Sequence, residues 1–213
     1  MLLVLALAPL WAQPVALTPE GVKAVQVKVD RAEYKGRAAL RVVDAAGASQ
    51  GDERRLAIVT GTSLLDGVIE VEVAGDLAPG APGAARGFVG VAFRTAPDAS
   101  KFECFYLRPT NGRAEEQERR NHSSQYISVP GFGWERLRKE TPERYESYVD
   151  LAPGEWTKVK IEVKGQAARL YVHGNAQPTL IVRDLKQAPA AGAIGLWVGP
   201  GTVAHFAGLR LGK

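Results

Sequence analysis

The chain has 213 residues, 46% hydrophobic and 23% charged, with a single cysteine. This suits one ordinary folded domain or a modest pair and excludes both a disordered chain and a disulfide-stapled scaffold. Twenty-seven basic against 23 acidic residues leave a formal charge of +4, too slight an excess to call for a nucleic-acid partner. The 23 Gly and 13 Pro point to a turn-rich, all-β chain. No apolar run in its body approaches the roughly 20 residues of a membrane-spanning helix.

Residues 1–12 contain no polar side chain and stop at Gln13-Pro14, where mixed composition begins. They read as a secretory signal, with Leu10 and Ala12 as the aliphatic or small residues before a cleavage site. The expectation is an exported, secreted or periplasmic chain of residues 13–213; the alternative is a buried N-terminal strand or helix. Export would place Cys104 in an oxidising compartment without a second cysteine, so it is expected to be buried and inert.

Strand patterns follow from 22 onward, at 22–29, 39–43, 56–60, 68–73, 88–94 and 102–107, each closed by Gly, Pro, Asn or Asp. The clearest is Trp156-Thr-Lys-Val-Lys-Ile-Glu-Val163, which sets Thr157, Val159, Ile161 and Val163 on one face and Lys158, Lys160 and Glu162 on the other. Such alternation marks a half-buried antiparallel strand. Further strands are expected at 168–172, 180–182, 193–198 and 203–206. The spacing predicts an all-β, antiparallel two-sheet sandwich of jelly-roll type, with Val159, Ile161, Leu170, Val172, Ile194, Leu196 and Val198 in one core.

The composition changes between 101 and 148. That stretch holds nine Lys or Arg, eight Glu, and eight of the sixteen aromatic residues. It is dense in charge and nearly neutral. Arg paired with Glu, together with Asn, Gln and aromatic rings, suits a neutral, hydroxyl-rich ligand better than a polyanion, so carbohydrate is the expected partner.

The C-terminal pattern carries a family resemblance. Trp156-x-Lys-Val-Lys-Ile, Ala168-Arg-Leu-Tyr-Val-x-Gly174, Asp184-Leu185, Gly192-Ala-Ile-Gly-Leu-Trp-Val-Gly199 and Val203-x-x-Phe206 resemble the concanavalin A-like lectin/glucanase superfamily. Within it the chain looks most like secreted bacterial laminin-G-like and 3-keto-disaccharide hydrolase-like domains, over residues 56–211. The resemblance implies the sandwich fold, with a charged, aromatic-rich insertion at about 109–148. It leaves activity open, because fold alone does not choose among lectins, polysaccharide-cleaving enzymes and adhesive modules.

One carboxylate grouping and three histidines are candidates for chemistry. Asp66, Glu70 and Glu72 alternate on one strand, as acidic residues do in the superfamily's glucanases, but Val68 breaks the spaced acidic series. A plain polar face is the alternative. His122, His173 and His205 are too scattered for a metal site, and no metal or cofactor is expected. The candidate ligand site is the outer face of the strand at 88–94, where Gly90 and Ala92 leave room beside Arg94. Its walls are Tyr106, Arg108, Asn111, Arg120, Asn121, Gln125, Tyr126, Trp134 and Arg138, and His122 and Glu103 are the candidate proton-transfer groups. Alternatively, the aromatic-rich segment fills that floor as a satellite core. The functional expectation is a domain that binds or processes a glycan or glycoside. A structural or protein-interaction module is the competing class, and the oligomeric state is left open.

Overall fold

The computed structural model describes residues 12–45 and 54–213; all but the last residue of the expected signal segment lies outside the described residues. In chain order the elements are β1 (Gln13–Pro14), β2 (Val22–Val25), β3 (Val27–Tyr34), β4 (Arg37–Asp44), β5 (Leu56–Leu64), β6 (Gly67–Leu77), β7 (Val89–Thr95) and β8 (Phe102–Leu107). Then come α1 (Gln117–Asn121), β9 (Ser124–Val129), α2 (Trp134–Glu140), β10 (Glu146–Ser147), β11 (Thr157–Lys164), β12 (Ala167–Val172), β13 (Leu180–Val182), β14 (Gly192–Val198) and β15 (Thr202–Gly212). Two antiparallel sheets result. The first runs β13-β12-β11-β6-β15-β4-β3, with β1 paired to β15; the second runs β10-β9-β8-β7-β14-β5-β2.

Period-two patterning places the core. On β11, Thr157, Val159, Ile161 and Val163 are buried, whereas Lys158 and Lys164 are exposed. Ile161 lies between Leu170 of β12 and Ile69 of β6. All seven residues expected to share a core do so, joined by Val91, Phe93 and Phe105 from the second sheet. The expected β-sandwich is therefore present. Among the described residues, no helix is long and apolar enough to cross a membrane.

Three local expectations change. The single strand expected at 22–29 is two strands, because Gln26 adopts a positive φ of 55° and turns the chain from the second sheet into the first. The short strand expected at 203–206 becomes the eleven-residue β15, which continues past an irregularity between Ala207 and Arg210. The charged stretch contains β9, β10 and two helices of five and seven residues, too short to show a helical period in sequence.

A larger correction concerns the outer face of the second sheet. The floor at Gly90 and Ala92 is not open: Leu56, Ile58, Ala92, Phe102, Cys104, Tyr106, Ile127, Val129 and Trp197 form a second apolar cluster there. Ala99 of the β7–β8 turn belongs to it, and Phe88 packs against it. Every residue of β7, β8 and β9 is consequently buried. Cys104 is fully buried within this cluster, as a small apolar side chain would be.

Truncating Ile161 to Ala removes buried volume from the centre of the main core and is expected to cost about 2–5 kcal/mol in urea unfolding. Lys158→Ala, on the exposed face of the same strand, is expected to stay within about 0.5 kcal/mol of the parent.

Candidate functional site

The site grows out of one cross-strand row. Antiparallel register aligns Val25, Leu56, Trp197, Gly90, Tyr106, Gln125 and Glu146 on successive strands of the second sheet. Gly90 is required at its middle, because a Cβ there would lie 2.5 Å from Tyr106 Cβ. Over this gap the Tyr106 and Trp197 rings meet at a centroid distance of 4.8 Å. The row is apolar at one end and polar at the other.

Arg108 follows Tyr106 by two residues and shares its face. Its guanidinium donates to Tyr106 Oη (2.8 Å), Gln125 Oε1 (3.1 Å) and the His122 carbonyl (2.8 Å). Glu146 Oε2 stands 3.8 Å from it. Glu146 accepts both arms of Arg138, at 2.8 and 2.6 Å, and its Oε1 lies 3.6 Å from His122 Nε2. Asn111 Nδ2 also donates to the His122 carbonyl (3.3 Å). One buried carboxylate thus faces two guanidiniums and an imidazole.

Helix α2 supplies the outer wall. Trp134 and Arg138 are four residues apart and share a face, while Leu137 between them is buried in the main core. The Arg138 guanidinium lies 4.8 Å from the Trp134 ring centroid and that of Arg108 6.0 Å, contacts that favour a fixed indole. Trp134 is nevertheless 38% exposed. On α1, Arg120 reaches Tyr148 Oη at 3.0 Å and lies 5.1 Å over its ring. Asn121 is exposed and accepts from Gln117.

Burial and neighbouring charge set the protonation states. Burial pulls His122 below its ordinary value of 6.5, with Glu146 opposing, so the imidazole is neutral at pH 7. Burial also lowers Arg108, and the hydrogen bond to Glu146 raises Arg138. With both Glu146 oxygens engaged by Arg138, the arrangement is rich in donors and its carboxylate is not free to act as a base. It is suited to holding hydroxyl groups.

The structure brings together Tyr106, Arg108, Asn111, His122, Gln125, Trp134 and Arg138, with Arg120 and Asn121 on the adjacent helix. It separates three other expected members. Glu103 faces inward, is fully buried, and accepts from Tyr126 Oη (2.6 Å) and the Gln187 amide (2.9 Å); it is not a partner for His122. Tyr126 follows Gln125 directly and so must point the other way, into the main core. Burial and then the Glu103 charge push its phenol well above the ordinary range. Arg94 has a positive φ of 52°, which turns its guanidinium toward the Leu65 and Gly165 carbonyls and Asp66 at the end of the sandwich.

Glu70 and Glu72 do share a face, but on the first sheet, along a groove of about 610 Å³ with Lys158, Lys160, Tyr171 and Arg210. Glu72 is ion-paired to Arg37. Among the described residues no three His, Cys, Asp or Glu side chains gather in a metal-ligating group. Sequence reasoning missed Glu146, Phe88 and Trp197. The missing clue for Glu146 was physical: the buried Arg108 and its half-buried neighbour Arg138 call for a carboxylate between them.

No family model matches the chain, and no curated protein matches it. Solved structures do. The carbohydrate binding module CBM66 from Bacillus subtilis superposes with a TM-score of 0.57 at 13% identity, covering 90% of this chain and 98% of the module. A Bacillus subtilis protein of unknown function with a galectin-like fold gives 0.53 at 10% identity, with coverage of 90% and 98%. The chain therefore has the concanavalin A-like jelly-roll fold.

Replacing Glu146 by Gln keeps the shape but removes the charge that Arg108 and Arg138 share. Stability is expected to fall by about 3 kcal/mol in urea unfolding. The His122 pKa, followed by NMR, is expected to fall further, since Glu146 is the group holding it up.

Proposed function

We propose that the chain is a carbohydrate-interacting domain of an exported protein, and that it binds a glycan or glycoside at the Trp134 edge of the second sheet. One observation carries this reading: Trp134, a residue 38% exposed, has its indole fixed by two guanidiniums, beside exposed or half-exposed donors on Arg120, Asn121, His122 and Arg138. A sugar ring lays its C–H face on the indole and directs its hydroxyls to the donors. Tyr106, Arg108, Asn111 and Gln125 hold those groups in place from below. The likeness to a carbohydrate binding module supports the reading through the fold.

Binding is favoured over cleavage. Both oxygens of Glu146 are occupied by Arg138, and the other carboxylate of this segment that was a candidate, Glu103, is sealed inside. We further propose that residues 1–12 are a removable signal and that residues 13–213 form one domain. Mass spectrometry of the native protein should find an N-terminus near Gln13; retention of Met1 in the cytoplasm would overturn export.

The binding reading is tested by a glycan array followed by calorimetry. Trp134→Ala is expected to weaken binding by about 1–3 kcal/mol and to leave the far-UV circular dichroism unchanged. An empty array together with a stable dimer in light scattering would instead identify a protein-interaction module, whose interface would share the same aromatic and Arg enrichment.

A further inference from the structure

The second sheet has another recess, at the opposite end of its outer face from Trp134. It holds about 530 Å³, in the range of small-molecule sites. It lies between the β7–β8 turn, the end of β5 and the segment 187–193. Ile58, Phe102, Ala190 and Ala191 give it apolar walls, and Lys23 and Lys101 bring two ammonium groups. One wall is shaped by Gly192, where a Cβ would lie 2.4 Å from the Arg94 carbonyl carbon.

The charges in this recess are not balanced. Lys101 is half-buried, and its ammonium makes no hydrogen bond or ion pair among the described residues. Lys23 donates to the Pro97 carbonyl at 2.8 Å, which leaves two of its protons without a protein acceptor among the described residues. The field of Lys23 reaches Asp98 weakly, but Asp98 does not line the recess. Glu103 is the only carboxylate among the lining residues, and it is already held by Tyr126 and the Gln187 amide. Thr95 lines the same recess, and its Oγ1 is buried with no partner among the described residues. A half-buried ammonium without a counter-charge and a buried hydroxyl without a partner are both satisfied by an anionic oxygen ligand. The apolar walls exclude a bare, fully hydrated ion and fit the C–H face of a ring.

We infer that this recess is a subsite for a carboxylate-bearing sugar, a uronic acid residue, with Lys101 and Lys23 facing the carboxylate. The inference rests on the carbohydrate reading above and narrows it to acidic glycans. The two sites lie at opposite ends of one sheet face, so a single variant separates them.

The experiment is an NMR titration of the full chain with methyl β-glucuronide and with methyl β-glucoside, which differ only at the carboxylate. The glucuronide is expected to bind about tenfold more tightly, as a charge-assisted hydrogen bond does relative to a neutral one. Its amide shifts should centre on Thr95, Lys101 and Ala191. Lys101→Met should abolish the preference, and Trp134→Ala should leave the preference intact. Equal affinities, or glucuronide shifts centred on residues 134–138, would overturn the inference. A chain that binds neutral glycans on the array yet shows no glucuronide preference defeats this inference alone; a chain that binds neither sugar and no glycan on the array defeats the carbohydrate reading with it.

Discussion

The organisation of this protein depends on burying the second sheet on both faces. Its inward side chains meet the first sheet, as in any sandwich, and its outward ones form an apolar cluster of their own. Polar residues on β7, β8 and β9 therefore have little water to turn to, and an unpaired polar group in such a place is costly. Most are answered from within the chain, Thr95 Oγ1 being an exception. Glu103 is met by the Tyr126 hydroxyl and the Gln187 amide, Gln125 by Arg108 and two carbonyls, and Arg108 by four neighbours including Glu146.

This constraint divides the charged segment into scaffold and surface. Arg108, Gln125 and Glu146 are committed to one another, and their role is to hold an edge. Groups with spare capacity are displaced outward, to Trp134, Arg138, His122 and the α1 residues. The same division appears at the other end of the face, where the recess lined by Lys23 and Lys101 is flanked by the fully committed Glu103. Reactivity read from residue type alone would have ranked the buried groups first. Their hydrogen bonds rank them last.

The sequence revealed the architecture wherever one face of a strand was wet. On β11 the lysines and valines alternate, so both the strand and its inward face were legible. On β9, Ser124, Gln125, Tyr126, Ile127, Ser128 and Val129 are buried on both sides, and no alternation marks them. The same cause hid the closed floor: Gly90 and Ala92 read as room for a ligand, whereas they are room for Tyr106, Trp197 and Cys104. Parity along β8 could not be read from sequence but follows from register, since Gly90 pairs with Tyr106. Glu146 was invisible because a two-residue strand leaves no pattern, and Gln26 because one left-handed residue reroutes the chain without altering its hydrophobicity.

The order of strands also constrains how the chain can assemble. β15 lies between β6 and β4 in the first sheet, and β14 lies between β7 and β5 in the second. Both sheets are thus joined across their middles by strands that come after all their other members in the sequence given. Until residues 192–212 have left the ribosome, β6 and β4 lack their shared partner, as do β7 and β5. Their unpaired edges are then open to association with other chains. Closure by contacts this distant in sequence is slow, so those edges stay unpaired for longest.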